Sequence, residues 1–243
     1  MKKPKIFAHR GASGYCIENT INSFKAAVDM NANIETDLQL TKDNFLICFH
    51  DLEFKIKDRW YKIKNITIKE LKRLDFKDKL KIVTLEEVFE YFNKHCYMDF
   101  LYSFDIVDIN AGVQAIELAK KYNISNNIII TDTRVRVLSK LRNFNKKVKL
   151  VHTIPHNIPI LKEENISFKF LKDITIKALN IKANRFLEEN IKFINKKGFK
   201  CFVWGVNSKL RMKKVLNLNK KGYSVEAIYT DYPDKLYKLK TQI

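Results

Sequence analysis

Short runs of β-branched and aromatic residues recur along the chain, and each is followed by a longer stretch whose apolar positions repeat with a helical period. This alternation is typical of an α/β protein. The runs predict strands at residues 5–8, 34–40, 45–49, within 97–107, and at 128–130, 148–151, 178–181, 200–204 and 227–230. The intervening stretches predict helices at residues 23–30, 68–74, 84–93, 111–122, 135–141, 185–196 and 210–218.

The number of strand–helix units approaches eight, and no break in composition divides the chain. We therefore expect one domain over residues 1–243, folded as a TIM (β/α)8 barrel. A doubly wound open sheet is the alternative, although no glycine-rich phosphate loop follows the first strand. Residues 55–81 are rich in lysine and poorly periodic apart from 68–74, which predicts a small insertion after the third strand.

The composition excludes several other classes of protein. Of the 243 residues 46% are hydrophobic, and only 6 are Gly and 4 Pro, which argues against disordered and collagen-like chains. No stretch of about 20 residues is free of charge, so the sequence predicts no membrane span. The N-terminus lacks the apolar run of a signal peptide, and we expect a cytoplasmic protein.

The chain is strongly basic, with 46 Lys and Arg against 27 Asp and Glu and a net charge of +19. The lysines are spread through every segment, which indicates a solvated surface with no specific nucleic-acid partner and a loose attraction to anionic membranes. The cysteines Cys16, Cys48, Cys96 and Cys201 form no CxxC pair, so we expect reduced thiols in or near the core. The sequence predicts no particular oligomeric state.

Chemically versatile residues stand at the ends of the first three predicted strands. Glu35 and Asp37 are two residues apart on a strand, so they point to the same face. Two carboxylates on an inward face repel each other unless a cation lies between them, and Mg²⁺ or Ca²⁺ takes such oxygen ligands. The alternative is that one carboxylate faces solvent or pairs with a lysine.

His9 and His50 also stand at strand ends, followed by Arg10 and Asp51. A lone histidine is more often structural than catalytic. Two histidines near a carboxylate pair can act as general acid and general base, because their ordinary pKa is about 6.5. Arginine grips phosphate in a bidentate manner. Together these residues indicate phosphodiester chemistry.

Several spaced blocks of sequence then resemble a known family. The blocks are His9-Arg10-Gly11-Ala12-Ser13-Gly14, Glu18-Asn19-Thr20, Glu35-Thr36-Asp37 with the six residues after it, His50-Asp51, Thr84-Leu85-Glu86-Glu87-Val88, Val203-Trp204-Gly205-Val206-Asn207 and Ile228-Tyr229-Thr230-Asp231-Tyr232-Pro233-Asp234. In this order, over nearly the whole chain, they resemble the glycerophosphodiester phosphodiesterase family.

The resemblance implies a TIM barrel that hydrolyses glycerophosphodiesters to glycerol 3-phosphate and an alcohol with a divalent cation, Mg²⁺ or Ca²⁺. It implies that Glu35 and Asp37 bind the metal and that His9 and His50 form the acid–base pair. It assigns Arg10 to the phosphate and Trp204 to the pocket wall near the glycerol moiety. Glu18 is expected to bind substrate, in a block that opens the first helix and braces the site, while Asn19 or Thr20 could equally be a plain helix cap.

One family feature is missing from the sequence. The family usually supplies a third metal ligand and a phosphate-binding lysine from a Glu-x-Lys on the strand after the Thr84 helix, and no Glu-x-Lys occurs there. We expect Asp105 as the ligand, with Val107 in the place of the lysine. The competing register uses Asp99, with Leu101 in that place. Loss of the cationic contact predicts a slow enzyme, recruitment of another lysine or an altered substrate.

Other functions stay open at this point. A lysophospholipase D-type enzyme on the same fold would need an apolar channel for an acyl chain. A non-catalytic or weakly active member would bind phosphorylated headgroups, which the missing Glu-x-Lys favours and the intact histidines oppose. Nucleic-acid binding driven by net charge is a weaker possibility.

Overall fold

Strands and helices alternate along the chain as the apolar pattern predicts. The computed structural model describes residues 3–95 and 100–242. The strands are β1 (Lys5–Ala8), β2 (Asn33–Leu40), β3 (Leu46–Cys48), β4 (Glu53–Ile56), β5 (Arg59–Lys62), β6 (Tyr102–Ile106), β7 (Ile128–Asp132), β8 (Lys149–Thr153), β9 (Ala178–Lys182), β10 (Lys200–Trp204) and β11 (Val225–Thr230). The helices are α1 (Ile21–Asp29), α2 (Ile68–Lys72), α3 (Leu85–Lys94), α4 (Ile109–Lys121), α5 (Val135–Phe144), α6 (Phe168–Asp173), α7 (Leu187–Lys196), α8 (Lys209–Lys220) and α9 (Pro233–Thr241).

Within the described residues, eight parallel strands close into a barrel. Their order is β1-β2-β6-β7-β8-β9-β10-β11, and β11 pairs back with β1 through the partners Lys5 and Ala227. An open sheet would leave two edge strands unpaired, so the doubly wound alternative is wrong. The TIM barrel predicted from the alternation is confirmed.

The period of two along each strand divides the apolar core into an inner and an outer part. Leu179 and Ile181 on β9 face outward and join the large core between the strands and the helices. Ala178 lies on the opposite face and packs inside the barrel. The interior cluster consists of Phe7, Ile129, Val151, Ala178, Phe202, Ala227 and Tyr229. Positions beyond this cluster, toward the carboxyl ends of the strands, carry the polar residues of the site.

Helix starts follow local capping chemistry. Thr84 caps α3, as the sequence predicts, by accepting a hydrogen bond from the backbone N–H of Glu87, whose carboxylate accepts one from the N–H of Thr84 at 2.8 Å. Thr20 caps α1 in the same manner with Ser23. The helices α6 and α9 are not predicted, because each buries few residues, Leu171 in α6 and Pro233 and Leu236 in α9, and so shows little apolar period.

The insertion after β2 has a small core of its own. β3 runs antiparallel to β2, so the third strand of the chain lies outside the parallel barrel. β4 and β5 form a hairpin that the sequence pattern misses, because charged residues fill half of their positions and no residue of either strand is buried. The apolar cluster under this segment contains Ile47, Ile63, Ile66, Leu71 and Ile82. The segment is a satellite layer beside the barrel.

The cysteines match the expectation of thiols in or near the core, as far as the described residues reach. Cys48 and Cys201 are buried, Cys16 is half-buried, and all three are free thiols. Cys96 lies outside the described residues.

Over residues 3–95 and 100–242, no helix has both the length and the apolar composition needed to cross a bilayer.

The loop between β1 and α1 requires glycine at residue 11. Gly11 has a φ of +77°, and a Cβ atom there would lie 2.6 Å from the carbonyl carbon of Ser23 on α1. Residues with a side chain rarely adopt a φ in this region. The carbonyl carbon of Ser23 is a backbone atom and cannot move aside as the end of a flexible side chain can. The loop therefore packs on α1 through a contact that excludes any side chain at this position.

We predict that Gly11→Ala lowers the free energy of unfolding by about 2 kcal/mol more than Gly198→Ala does, because overpacking adds to the backbone strain. Gly198 is the matched control, since its φ of +82° is similar but its Cβ position is open. Urea denaturation of the two variants measures the difference. Equal losses would show that Ser23 can move away at little cost.

Candidate active site

Three acidic side chains share the inner face of two neighbouring strands. Glu35 and Asp37 both point into the barrel from β2, as their spacing predicts, and both are buried. Asp105 on β6 is the register partner of Asp37 and is half-buried. The structure thus brings together the three carboxylates predicted as metal ligands. The competing ligand Asp99 lies outside the described residues.

These carboxylates disfavour one another's ionisation. Burial raises the pKa of Glu35 to about 7, and the charge of Asp37 adds to this rise while His9 opposes it. Burial, with the charges of Asp37 and Glu35, also raises the pKa of Asp105 well above its ordinary value. Shifts in this direction are the expected result of grouping acids where water screens poorly. The cluster therefore favours a neighbouring positive charge.

Arg10 supplies positive charge beside the cluster. Its backbone N–H donates to Glu35 Oε2 at 2.8 Å, and its Nε lies 3.1 Å from Asp37 Oδ2. Its Nη1 donates to both carboxylate oxygens of Glu18, at 2.9 and 3.1 Å. Glu18 is half exposed and contacts Arg10 rather than the cleft, so the structure places it as a residue that positions the guanidinium.

Asn19, from the block that the resemblance expects to brace the site, contacts the acidic cluster. It is buried, and its Nδ2 donates to Asp37 Oδ2 at 3.3 Å. Its Oδ1 accepts a hydrogen bond from Thr36 Oγ1 at 2.7 Å. The capping role left open between Asn19 and Thr20 belongs to Thr20. Asn19 and Arg10 both have φ near +54°, a conformation that asparagine tolerates better than most residues.

His9 is oriented by a carboxylate from the far end of the chain. Its Nδ1 lies 2.9 Å from Asp231 Oδ1. Asp231 in turn accepts a hydrogen bond from Asn207 Nδ2, and its own N–H donates to Asn207 Oδ1 at 3.0 Å. Burial acts to lower the pKa of His9, but the contact with Asp231 and the charge of Glu35 outweigh it and raise that pKa.

Asp231 and Asn207 belong to two of the sequence blocks that carry the family resemblance, but the sequence assigns neither of them a role in the site. β11 pairs with β1, so residue 231 follows a strand end that lies beside His9. The available signal is the position of Asp231 directly after the last strand, at the end of the barrel where the other site residues stand. Recognising the contact requires knowledge that the barrel closes between its first and last strands.

His50 reaches the same end of the barrel because β3 runs antiparallel to β2. The backbone N–H of Phe49 donates to Asp37 O at 3.0 Å, which joins the segment before His50 to β2. Gln39 Nε2 donates to the carbonyl oxygens of Phe49 and Asp51, at 2.7 and 3.0 Å. The Nδ1 of His50 lies 2.7 Å from Asp51 Oδ1, and this pair is exposed.

The two histidines, Arg10 and the three carboxylates border one cleft of about 290 Å³. One half is lined by His9, Arg10, Glu35, Asp37, His50 and Asp105, and is dominated by acids and imidazoles. The opposite half is lined by neutral polar and aromatic residues, among them Thr131, Thr153, Asn180 and Trp204. Of the predicted site residues that the structure describes, only Glu18 does not line this cleft.

Two of the three carboxylates, Glu35 and Asp37, accept hydrogen bonds from protein donors. Asp37 accepts from Asn19 and lies beside Arg10, while Glu35 accepts from the Arg10 backbone. Over residues 3–95 and 100–242, no group of three or more His, Cys, Asp and Glu side chains is arranged as a ready-made metal centre. Val107, which is expected from the sequence to stand in the place of the family lysine, is uncharged and does not line the cleft.

Comparison with known proteins agrees with this fold. A model of the Glycerophosphoryl diester phosphodiesterase family matches residues 9–235. The glycerophosphodiester phosphodiesterase of Caldanaerobacter subterraneus is 30% identical, and the alignment covers 98% of each chain. One glycerophosphodiester phosphodiesterase of Bacillus subtilis is 29% identical over 96% of this chain and 85% of its own.

Solved structures give the same result. The glycerophosphodiester phosphodiesterase of Thermotoga maritima superimposes with a TM-score of 0.77 at 26% identity, over 98% of this chain and 99% of its own. A phosphodiesterase of Oleispira antarctica, solved with the product sn-glycerol-3-phosphate, has the same fold, with a TM-score of 0.80 at 20% identity over 99% and 98% of the chains. This chain therefore belongs to the glycerophosphoryl diester phosphodiesterase family.

Proposed function

We propose that this protein hydrolyses glycerophosphodiesters to glycerol 3-phosphate and an alcohol, with a divalent cation, Mg²⁺ or Ca²⁺, and with His9 and His50 as the acid–base pair. The observation that carries the proposal is that two histidines, an arginine and three carboxylates line one half of a single cleft. Family membership and the activities named for the relatives support the same reaction.

The donor set suits a hard divalent cation. Glu35, Asp37 and Asp105 offer carboxylate oxygens from adjacent strands, which are the ligands that Mg²⁺ and Ca²⁺ prefer. The raised pKa values of Glu35 and Asp105 express the electrostatic cost of grouping these acids without such a cation. When bound, the ion supplies positive charge that stabilises the negative charge developing on the phosphoryl oxygens.

The reaction also requires proton transfer and phosphate binding, for which the histidines and Arg10 are suited. The Nδ1 of His9 is engaged by Asp231, which leaves Nε2 for proton transfer. Because its pKa is raised, His9 suits the role of the acid that protonates the leaving alkoxide. His50 then takes the proton from the attacking oxygen. The Arg10 guanidinium, held by Glu18 and Asp37, contacts the phosphate.

We predict that the protein releases glycerol 3-phosphate from glycerophosphocholine or glycerophosphoglycerol in the presence of Mg²⁺ or Ca²⁺, and that EDTA abolishes the release. His9→Ala and His50→Ala should each lower kcat by about 10²–10⁴-fold, the usual loss for a missing acid or base. His95→Ala is the matched control, because His95 is exposed at the end of α3. A dehydrogenase coupled to glycerol 3-phosphate measures the rates.

Two results would contradict this proposal. Full activity in His9→Ala or His50→Ala would remove the acid–base roles. A folded protein that releases no product from glycerophosphodiesters or from lysophospholipids would leave headgroup binding without turnover as the function.

We predict that Mg²⁺ or Ca²⁺ raises the Tm of the wild-type protein, because an ion that binds only the folded state adds about 2.7 kcal/mol at 100 times its Kd. The double variant Glu35→Gln, Asp37→Asn should lose this rise. Glu226→Gln is the control, since Glu226 pairs with Lys5 at the opposite end of the barrel. Thermal unfolding with and without the ion measures the effect. An equal rise in the double variant would place the ion elsewhere.

We predict that Asp231→Asn shifts the alkaline limb of the kcat/KM–pH profile to lower pH. Asp231 raises the pKa of His9, so its neutral replacement lets that pKa fall. His9 acts as an acid and loses activity as the pH rises through its pKa, so the fall in activity begins earlier in the variant. An unmoved limb would show that Asp231 does not set the proton affinity of the catalytic group.

A further inference from the structure

The β4–β5 hairpin has one face that packs on the small apolar core of the insertion and one face that meets solvent. Cross-strand partners in an antiparallel pair point to the same side, so the pairs Glu53–Lys62 and Lys55–Trp60 share the solvent face. All four residues are exposed, Trp60 to 62%. Leu52, at the base of the hairpin, is 59% exposed. Two large apolar side chains this open to water in one hairpin indicate a surface used for binding.

The inner face holds the hairpin in place. The Phe54 ring stacks on Tyr61 with 5.5 Å between the ring centres, and it contacts Phe76 at 5.0 Å and Phe49 at 5.7 Å. These rings pack on the apolar cluster of the insertion. Because the inner side chains are held in this way, the outer face has a defined orientation relative to the barrel.

The exposed charges of this segment are mainly basic. Residues 52–64 contain two acidic side chains and five basic ones, all exposed, and the basic ones are Lys55, Lys57, Arg59, Lys62 and Lys64. The acids pair with two of these lysines, Glu53 with Lys62 at 3.5 Å and Asp58 with Lys55 at 3.7 Å. Ion pairs between exposed groups are weak, so both lysines can turn to another anion. The segment therefore presents a positive surface around the Trp60 ring.

The hairpin adjoins the mouth of the cleft. His50, which lines the cleft, precedes Leu52 by two residues. Gln39 Nε2 fixes the start of this segment to β2 by donating to the carbonyl oxygen of Phe49 at 2.7 Å. The Phe49 ring in turn contacts Phe54 of the hairpin. A partner that binds the hairpin therefore lies beside the opening of the cleft.

This combination of groups fits the interface of a bilayer with negatively charged headgroups. Indole is largely apolar but carries one N–H donor, so tryptophan is enriched at the boundary between acyl chains and headgroups. Lysine stems cover apolar surface while their ammonium groups reach the charged headgroups, which attract them. Sites for single-stranded nucleic acid stack successive bases on several aromatic rings along a groove, whereas this segment has one exposed ring.

We propose that the outer face of the hairpin, together with Leu52, docks the protein onto an anionic lipid bilayer. Trp60 and Leu52 enter the interface, and Lys55 and Lys62 bind the phosphates of the headgroups. The sequence predicts only a loose attraction from the dispersed net charge, whereas the hairpin offers apolar side chains and lysines at one place beside the cleft. This docking surface goes beyond the proposed hydrolysis and does not depend on turnover.

Sedimentation with phospholipid vesicles at physiological ionic strength tests the docking surface. We expect the wild type to bind vesicles of phosphatidylcholine with phosphatidylglycerol, and to bind pure phosphatidylcholine much more weakly. Lys55→Gln combined with Lys62→Gln should weaken binding about 25-fold, since each basic residue near an anionic surface contributes about fivefold. Trp60→Ser should weaken it about tenfold or more, because the indole no longer leaves water. All three residues are exposed, so these variants should keep the Tm of the wild type.

Helix α8 supplies a matched control. Leu210 is 80% exposed there, and Lys213 and Lys214 lie exposed on the next turn. Leu210→Ser, and Lys213→Gln combined with Lys214→Gln, remove the same kinds of group from a surface outside the hairpin and the cleft. We expect these variants to bind vesicles as the wild type does. Equal losses in the hairpin and α8 variants would show that binding follows total charge, and would overturn the docking surface.

Fluorescence reports where the Trp60 ring goes. The chain has two tryptophans, so in Trp204→Phe the emission comes from Trp60 alone. We expect anionic vesicles to shift this emission to shorter wavelength and brominated acyl chains to quench it. Emission that the vesicles leave unchanged would overturn the proposal, as would binding to a short RNA but to no vesicle. A protein that docks but hydrolyses no diester would contradict the proposed function and leave the docking surface in place.

Discussion

The repulsion among three carboxylates that face one another inside the barrel is the constraint to which the rest of the site responds. Glu35, Asp37 and Asp105 lie on adjacent strands, and burial, together with the charges of the neighbouring acids, raises the pKa values of Glu35 and Asp105. The backbone N–H of Arg10 donates a hydrogen bond to Glu35, and the side-chain amide of Asn19 donates one to Asp37. The loop between β1 and α1, with its positive φ angles at residues 10, 11 and 19, has the shape that brings those donors to the acids.

The cleft separates two kinds of chemistry. The acidic half, built from β1, β2, β6 and the segment after β3, holds the groups that suit a cation, a phosphate and proton transfer. The half built from β7 to β10 is lined mainly by neutral polar and aromatic side chains, with the Lys182 ammonium 5.1 Å from the centre of the Trp204 ring. A net charge of +19 does not reveal this arrangement, because the lysines are dispersed along the chain while the acids of the site are concentrated.

The sequence predicts features that depend on neighbouring residues, and it does not predict contacts between residues far apart in the chain. Spacing alone places Glu35 and Asp37 on one face, because side-chain direction alternates within a single strand. Glu18 is expected from the sequence to bind substrate, and only the folded loop shows that it also hydrogen-bonds to Arg10. The β4–β5 hairpin is missed, because its strands are half charged and bury no residue. Asp231 is 222 positions from His9 along the chain, and no local pattern predicts their contact.

The sequence by itself determined the alternation of strands and helices, the faces on which site residues stand and the family resemblance, because each depends on residue types within short windows. Only the tertiary structure decided which strand ends meet. Closure of β11 against β1 placed Asp231 beside His9, the antiparallel turn of β3 carried His50 to the barrel mouth, and the register of β9 with β10 set Asn180 near Trp204. Such neighbours are set by barrel geometry, which is a property of all the strands together and of no single segment.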